Sequence, residues 1–199
     1  MKKVLAANWK MNMGMKEGLK LALEVEKKIK STDKANFILF PSIHTISFIN
    51  NILKKKNIFG AQDCSQFENG SYTGDISAKM IKELGCTYVM IGHSERRVNY
   101  KEDNRIIKKK IHIAAKEKLK IILCVGESYK AYKSKKGKLI INNQIKDIFP
   151  KKFNFKNLII AYEPVWAIGS NKTPKINEIN SMHSYIKQKM NNLYKIDEI

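Results

Sequence analysis

Short apolar runs alternate along the chain with longer segments in which apolar residues recur at helical spacing. Six of the short runs predict strands, and the run from Leu158 lacks polar alternation, which is typical of a strand buried on both faces of a parallel sheet. The helical spacing predicts helices over residues 16–29 and 102–118. The predicted strands are VLAA near Val4, FILF from Phe37, IFGA from Ile58, TYVMI from Thr87, IILCV from Ile121 and LIIAY from Leu158.

The alternation of predicted strands and helices indicates a series of βαβ units, whose strands run parallel. A nucleotide-binding doubly wound sheet carries GxGxxG or GxxxxGK after its first strand, and neither motif occurs at that point here. We therefore expect an α/β barrel of parallel strands. With 199 residues and no internal linker, the chain is most simply one domain over residues 1–199.

The formal net charge of +20 could attract a nucleic-acid backbone. However, the lysines are scattered through every predicted helix, in runs such as VEKKIK, LKKKN, IIKKK and KSKKGK, without a recognisable nucleic-acid-binding motif. This distribution favours a solvated surface over a dedicated nucleic-acid partner. It is also compatible with steering of an anionic substrate.

The three cysteines, Cys64, Cys86 and Cys124, are odd in number and have no metal-type spacing, so neither a disulfide nor a zinc site is indicated. No apolar run approaches the roughly 20 residues of a membrane span. The start MKKVLAANWK is too short and too polar for a secretory signal. We expect a cytoplasmic protein that needs no membrane, metal or other cofactor.

Polar residues follow the predicted strands, where a parallel barrel carries its functional groups. Together they offer a cation, a histidine and carboxylates that could converge on a small anion, as proton transfer next to a carbonyl requires. Each also fits a structural role: Lys10 could be a solvated strand end and Ser94 a helix N-cap. The set is Asn8, Lys10, Gln62, Asp63, His93, Ser94, Glu95, Glu127 and Glu163.

Glu163 has an unusual sequence context. It follows the apolar run from Leu158 and precedes Pro164, which cannot donate to a sheet ladder and so ends the strand. The loop VWAI then continues as an apolar segment that water would not favour, so it needs something to cover.

Four motifs resemble those of the triosephosphate isomerase family, in that family's order. They are NWK at Asn8, GHSERR at Gly92, CVGE at Cys124 and AYEPVWAIG at Ala161. The resemblance implies a TIM (β/α)8 barrel. It also implies the reversible conversion of dihydroxyacetone phosphate into D-glyceraldehyde 3-phosphate, in glycolysis and gluconeogenesis, through an enediolate.

The resemblance also implies roles for the strand-end residues. Glu163 would be the general base, and His93 would polarise the substrate carbonyl as a neutral imidazole, next to a helix that starts near Ser94. Lys10 would balance the charge of the phosphate and the enediolate, with Asn8 donating a hydrogen bond beside it.

In the same resemblance, PVWAIG is a lid that excludes water from the bound substrate. Gly169 and Ser170 in this lid are the candidates for binding the substrate phosphate. The family has glycine where this chain has Asn171, a residue that tolerates positive φ better than other side chains. The supporting residues would be Glu95, Ser94 and Cys124.

A homodimer is implied by the loop SYTGD, which resembles the family loop that reaches the neighbouring subunit through its tip threonine, here Thr73. The family usually has glutamate where this chain has Asp75. An ion pair across the interface with an arginine such as Arg96 is therefore in question.

A TIM barrel has eight strands and typically about 250 residues, so we expect an incomplete barrel with about six βα units. The family's YGGS loop and last glycine pair, which bind the substrate phosphate, have no counterpart in the 199 residues. Two alternatives stay open at this point: an isomerase, and a truncated non-catalytic homologue that acts as a basic binding protein.

Overall fold

The computed structural model describes residues 3–29, 35–50, 52 and 59–195. Strands and helices alternate along these residues. The strands are β1 (Lys3–Asn8), β2 (Ala35–Phe40), β3 (Gly60–Ala61), β4 (Tyr88–Ile91), β5 (Lys120–Val125) and β6 (Leu158–Tyr162). The helices are α1 (Met15–Ile29), α2 (Ile43–Asn50), α3 (Ala78–Glu83), α4 (Ser94–Asn99), α5 (Asn104–Lys116), α6 (Tyr129–Lys133), α7 (Gly137–Ile145) and α8 (Ile176–Tyr194).

All six predicted strands are confirmed, although Ile58 in the third run lies outside the described residues. The helix predicted over 16–29 is confirmed as α1. The helix predicted over 102–118 is shorter than expected, because Asp103 caps α5: its carboxylate accepts the backbone N–H groups of Arg105 and Ile106 at 2.9 and 3.0 Å. Glu102 therefore precedes the helix.

The chain divides into two compact units. The first contains residues Met1–Met90 and Ile113–Lys120, and the second contains Ile91–His112 and Ile121–Ile199. The expectation of a single domain over 1–199 stays a prediction.

The first unit is built on parallel strands. β1 pairs with β2 along its whole length, from Lys3 opposite Ala35 to Asn8 opposite Phe40. A parallel bridge between Leu39 and Phe59 leads to β3, which pairs with β4. Its core contains Ile38, Phe40, Ile46, Ile49, Phe59 and Ile81, all fully buried.

The second unit contains the parallel pair β5 and β6, in register from Ile121 opposite Leu158 to Val125 opposite Tyr162. The helices α5, α7 and α8 supply apolar side chains to its core. The fully buried members of this core include Ile107, Ile111, Ile121, Leu123, Ile141 and Ile145. Within the described part of the chain, no helix is both long and apolar enough to span a membrane.

Two strands, β1 and β6, are only partly buried. In β1 the side chain of Leu5 is 52% exposed, and in β6 only Leu158 is buried. Both are terminal strands of their sheets, so each has a neighbouring strand on one edge only. The prediction of burial on both faces, which applied to the run from Leu158, is wrong for β6. In β5, by contrast, every residue after Lys120 is buried.

Candidate active site

Glu163 stands directly after β6, as predicted. Its backbone N–H donates to the carbonyl of Val125 at 2.8 Å, which continues the β5–β6 ladder by one bond. Pro164 then ends the pairing because it has no N–H to donate. In the carboxylate, Oε2 accepts the backbone N–H of Ser94 at 3.1 Å and Oε1 lies 3.3 Å from Nε2 of His93.

His93 caps the helix α4, which begins at Ser94 as expected. Its Nδ1 accepts the backbone N–H of Glu95 at 3.2 Å, so this nitrogen carries no proton. A neutral imidazole with Nδ1 unprotonated has its proton on Nε2, the nitrogen that faces Glu163. The ring is only 7% exposed, and the cap therefore fixes both its orientation and its tautomer.

Cys124 and Arg97 lie beside this pair. Burial raises the pKa of the Cys124 thiol well above its usual value, and the charge of Glu163 adds to the effect. The Arg97 guanidinium donates to the carbonyls of Gly92 at 2.9 Å and Cys124 at 3.3 Å, and burial lowers its pKa. Its cation contributes positive charge near Glu163. Sequence reasoning overlooked Arg97, which was visible only as the last letter of GHSERR.

The predicted lid begins with a single 3-10 turn over Val165–Ala167. Trp166 stacks on Tyr132 with ring centroids 4.3 Å apart, and its indole N–H donates to Oε1 of Glu127 at 2.8 Å. The Tyr162 hydroxyl donates to the same oxygen at 2.9 Å. The sequence predicted Glu127 only as a strand-end carboxylate. In the structure it holds the apolar loop in place by accepting a hydrogen bond from the indole of Trp166.

The end of the lid turns at Gly169, whose φ is +63°. Asn171 is not among the residues with positive φ, so its replacement of a glycine causes no strain in this conformation. The Ser170 hydroxyl donates to the carbonyl of Trp166 at 2.8 Å and accepts the N–H of Lys172 at 3.1 Å. These contacts hold Gly169 and Ser170 in an exposed turn.

Asn8 and Lys10 belong to the first unit, at the end of β1. The side-chain oxygen of Asn8 accepts the backbone N–H of Lys10 at 2.9 Å, and Lys10 has a φ of +53°. Gln62 donates to the carbonyls of Lys10 at 2.8 Å and Phe40 at 2.7 Å. A positive φ is unfavourable for a residue other than glycine, so Lys10 needs such support. Strained backbone conformations of this kind are common at functional sites.

Two of the residues expected at a dimer interface, Asp75 and Arg96, have side-chain partners within their own units. Thr73 lies in an exposed turn, and the carboxylate of Asp75 accepts the Ser65 hydroxyl at 2.6 Å. Arg96 donates to Glu102 at 2.7 Å. The expected role of these residues in a dimer stays a prediction.

The parallel βα units, with a carboxylate and a histidine at the strand ends, define an α/β-barrel enzyme suited to proton transfer. Comparison with known proteins identifies the particular family: the triosephosphate isomerase profile matches residues 3–198. The chain belongs to the triosephosphate isomerase family. Its fold is accordingly the α/β TIM barrel, represented here by six βα units.

Individual relatives agree with this assignment. The triosephosphate isomerase of Alkaliphilus metalliredigens is 38% identical over 198 residues, which are 97% of this chain and 79% of that protein. That of Phocaeicola vulgatus is 36% identical over 190 residues, 94% of this chain and 75% of that protein. The crystal structure of triosephosphate isomerase from Bartonella henselae superposes with a TM-score of 0.88 at 33% identity, over 98% of this chain and 78% of that one.

Proposed function

We propose that this chain interconverts dihydroxyacetone phosphate and D-glyceraldehyde 3-phosphate. The proposal rests on one short distance: the Glu163 carboxylate lies 3.3 Å from the Nε2 atom of His93. A carboxylate base beside a neutral imidazole donor can remove a proton next to a carbonyl while the imidazole stabilises the developing oxyanion.

In the proposed reaction, Glu163 takes a proton from the carbon next to the substrate carbonyl, and the Nε2–H of His93 donates to the carbonyl oxygen. An enediolate forms. Nε2 of His93 gives its proton to the former carbonyl oxygen and takes the proton of the hydroxyl on the adjacent carbon, so that the imidazole is neutral again. Glu163, now protonated, returns its proton to the neighbouring carbon, which gives the isomeric triose phosphate. The hydrogen bond from Ser94 orients the carboxylate before substrate binds.

The remaining site residues bind and enclose the substrate. We assign charge balance of the phosphate and enediolate to Lys10, with Asn8 beside it, because the supported positive φ of Lys10 is typical of a functional position. Gly169 and Ser170 are the phosphate-side groups of the lid. The apolar lid around Trp166 would exclude water from the enediolate.

The proposal is tested by measuring isomerisation by the purified chain in both directions, and by repeating the reaction in D₂O. Proton transfer through Glu163 predicts net conversion, with deuterium incorporated at the carbon next to the carbonyl. Absence of both conversion and deuterium incorporation would favour the non-catalytic alternative and contradict the proposal.

We also propose that the chain forms a homodimer through the exposed turn that contains Thr73. The stacked rings of Phe67 and Tyr72, 3.7 Å apart, stiffen this turn and support its use as a contact. Sedimentation equilibrium should give twice the 23.0 kDa chain mass at micromolar concentration. Thr73→Arg should shift the equilibrium to monomer, and a wild-type monomer at that concentration would contradict the proposal.

The cytoplasmic location stays a prediction.

A further inference from the structure

We infer that Gln144 is a positioning residue for Glu163 and that it acts through the backbone of Gly126. The inference rests on the proposed function, in which Glu163 is the base. Gln144 lies on α7, and the sequence gives no sign of a role for it.

The side chain of Gln144 makes two hydrogen bonds to one residue. Its Oε1 accepts the backbone N–H of Gly126 at 2.9 Å, and its Nε2 donates to the carbonyl of Gly126 at 2.9 Å. The amide thus satisfies both backbone groups of a residue that stands just after β5. Ile141 and Ile145, both fully buried, anchor α7 and hold the amide in place.

Gly126 in turn packs against the backbone of the base. A Cβ atom built on Gly126 would overlap the carbonyl oxygen of Glu163, so only glycine allows this approach. The neighbouring carbonyl of Val125 accepts the N–H of Glu163 at 2.8 Å. Any shift of residues 125–126 is therefore passed to Glu163.

One side of this segment borders an open pocket. A cavity of about 210 Å³ is lined by Gly126, Gln144 and Glu163, together with Ser94 and Val165. The segment has room to move into this space once the amide is removed. On this open side, the two hydrogen bonds of Gln144 hold Gly126, in addition to the β5–β6 pairing that holds Val125. A displacement of about 1 Å in a reacting group can reduce the rate about 100-fold.

The test replaces Gln144 by methionine, which has similar length and no amide. We expect kcat to fall at least about tenfold while KM stays within about twofold, because the base is displaced and the groups that bind the phosphate are not. Gln188→Met on the exposed face of α8 is the matched control and should leave both constants unchanged. If Gln144→Met does not fold, Gln144→Asn retracts the same amide by one methylene and should reduce kcat in the same way.

Amide hydrogen exchange provides a readout that does not require activity. In Gln144→Met the Glu163 amide should exchange at least about tenfold faster, while that of Ile186 in the same unit stays unchanged. A kcat within twofold of wild type, or unchanged exchange at Glu163, overturns the inference. A wild-type chain that does not isomerise would overturn the proposed function instead, and the exchange result would then decide the role of Gln144.

Discussion

Glu163 and His93 face each other across 3.3 Å, with Oε1 of the carboxylate opposite Nε2 of the imidazole. Each is fixed by a backbone N–H from the first turn of α4: Ser94 donates to Glu163 and Glu95 donates to His93. One helix start therefore orients both groups. The relative position of the two groups, more than either alone, supports proton transfer as the chemistry of this chain.

The tautomer of His93 follows from this geometry. We expect ¹⁵N NMR at neutral pH to show a pyridine-type Nδ1 and a pyrrole-type Nε2 for His93, because Nδ1 accepts the Glu95 N–H. His183, exposed on α8, serves as the reference and should show a mixture of tautomers. A protonated Nδ1 in His93 would contradict the assignment.

Glu127 should contribute to stability through one oxygen only. Its Oε1 accepts both Tyr162 and Trp166, whereas Oε2 is buried and has no partner within the described chain. We expect Glu127→Met to lower the free energy of unfolding by about 2–4 kcal/mol, since two donors lose their acceptor. Glu127→Gln keeps the acceptor and should cost less than about 1 kcal/mol. If urea unfolding gave the same loss of unfolding free energy for Glu127→Met and Glu127→Gln, the two hydrogen bonds would not contribute to stability.

Lys110 and Glu102 form a buried ion pair, with side chains in contact at 2.6 Å and residues that are 3% and 6% exposed. Lys110→Met should lower the free energy of unfolding by about 3 kcal/mol, because the buried carboxylate then loses its buried cationic partner and keeps only the half-exposed Arg96 as a hydrogen-bonded cation among the described residues. The double variant Lys110→Met/Glu102→Leu should recover part of this loss. Lys108→Met, on the exposed face of α5, should change stability by less than about 0.5 kcal/mol. A loss of unfolding free energy below about 0.5 kcal/mol for Lys110→Met would contradict the prediction.

The pH dependence of stability should include a contribution from Cys86. Burial raises the pKa of its thiol from 9.0 to about 12. The unfolded thiol ionises first, so this contribution is complete below about pH 9 and is lost between pH 9 and 12. The difference in unfolding free energy between wild type and Cys86→Ala should therefore shrink above pH 9, by up to about 1.4 kcal/mol per pH unit. Urea unfolding at pH 8 and 10.5 checks this, and a constant difference would contradict it.

The strand positions and the central pair of the site could be predicted from the sequence. Apolar runs reveal strands because burial requires them, and a carboxylate such as Glu163 between a strand and a proline is a local signal. The start of α4 was also predictable, since the GHSERR motif marks it. The later start of α5 was readable in principle from the capping residue Asp103.

Other features depend on contacts between distant segments. Gln144 is one polar residue in the helix IINNQI, and only the fold brings it to Gly126. Likewise, nothing near Glu127 indicates that a tryptophan of the lid will donate to it.

The role of Glu163 as the base can be measured by the rate of isomerisation after Glu163→Asp, which retracts the carboxylate by one methylene from its place opposite His93. We predict that kcat falls at least about 100-fold, the scale of general-base catalysis. Glu83→Asp on the exposed surface of α3 should retain the wild-type rate. A Glu163→Asp rate within threefold of wild type would contradict the assignment.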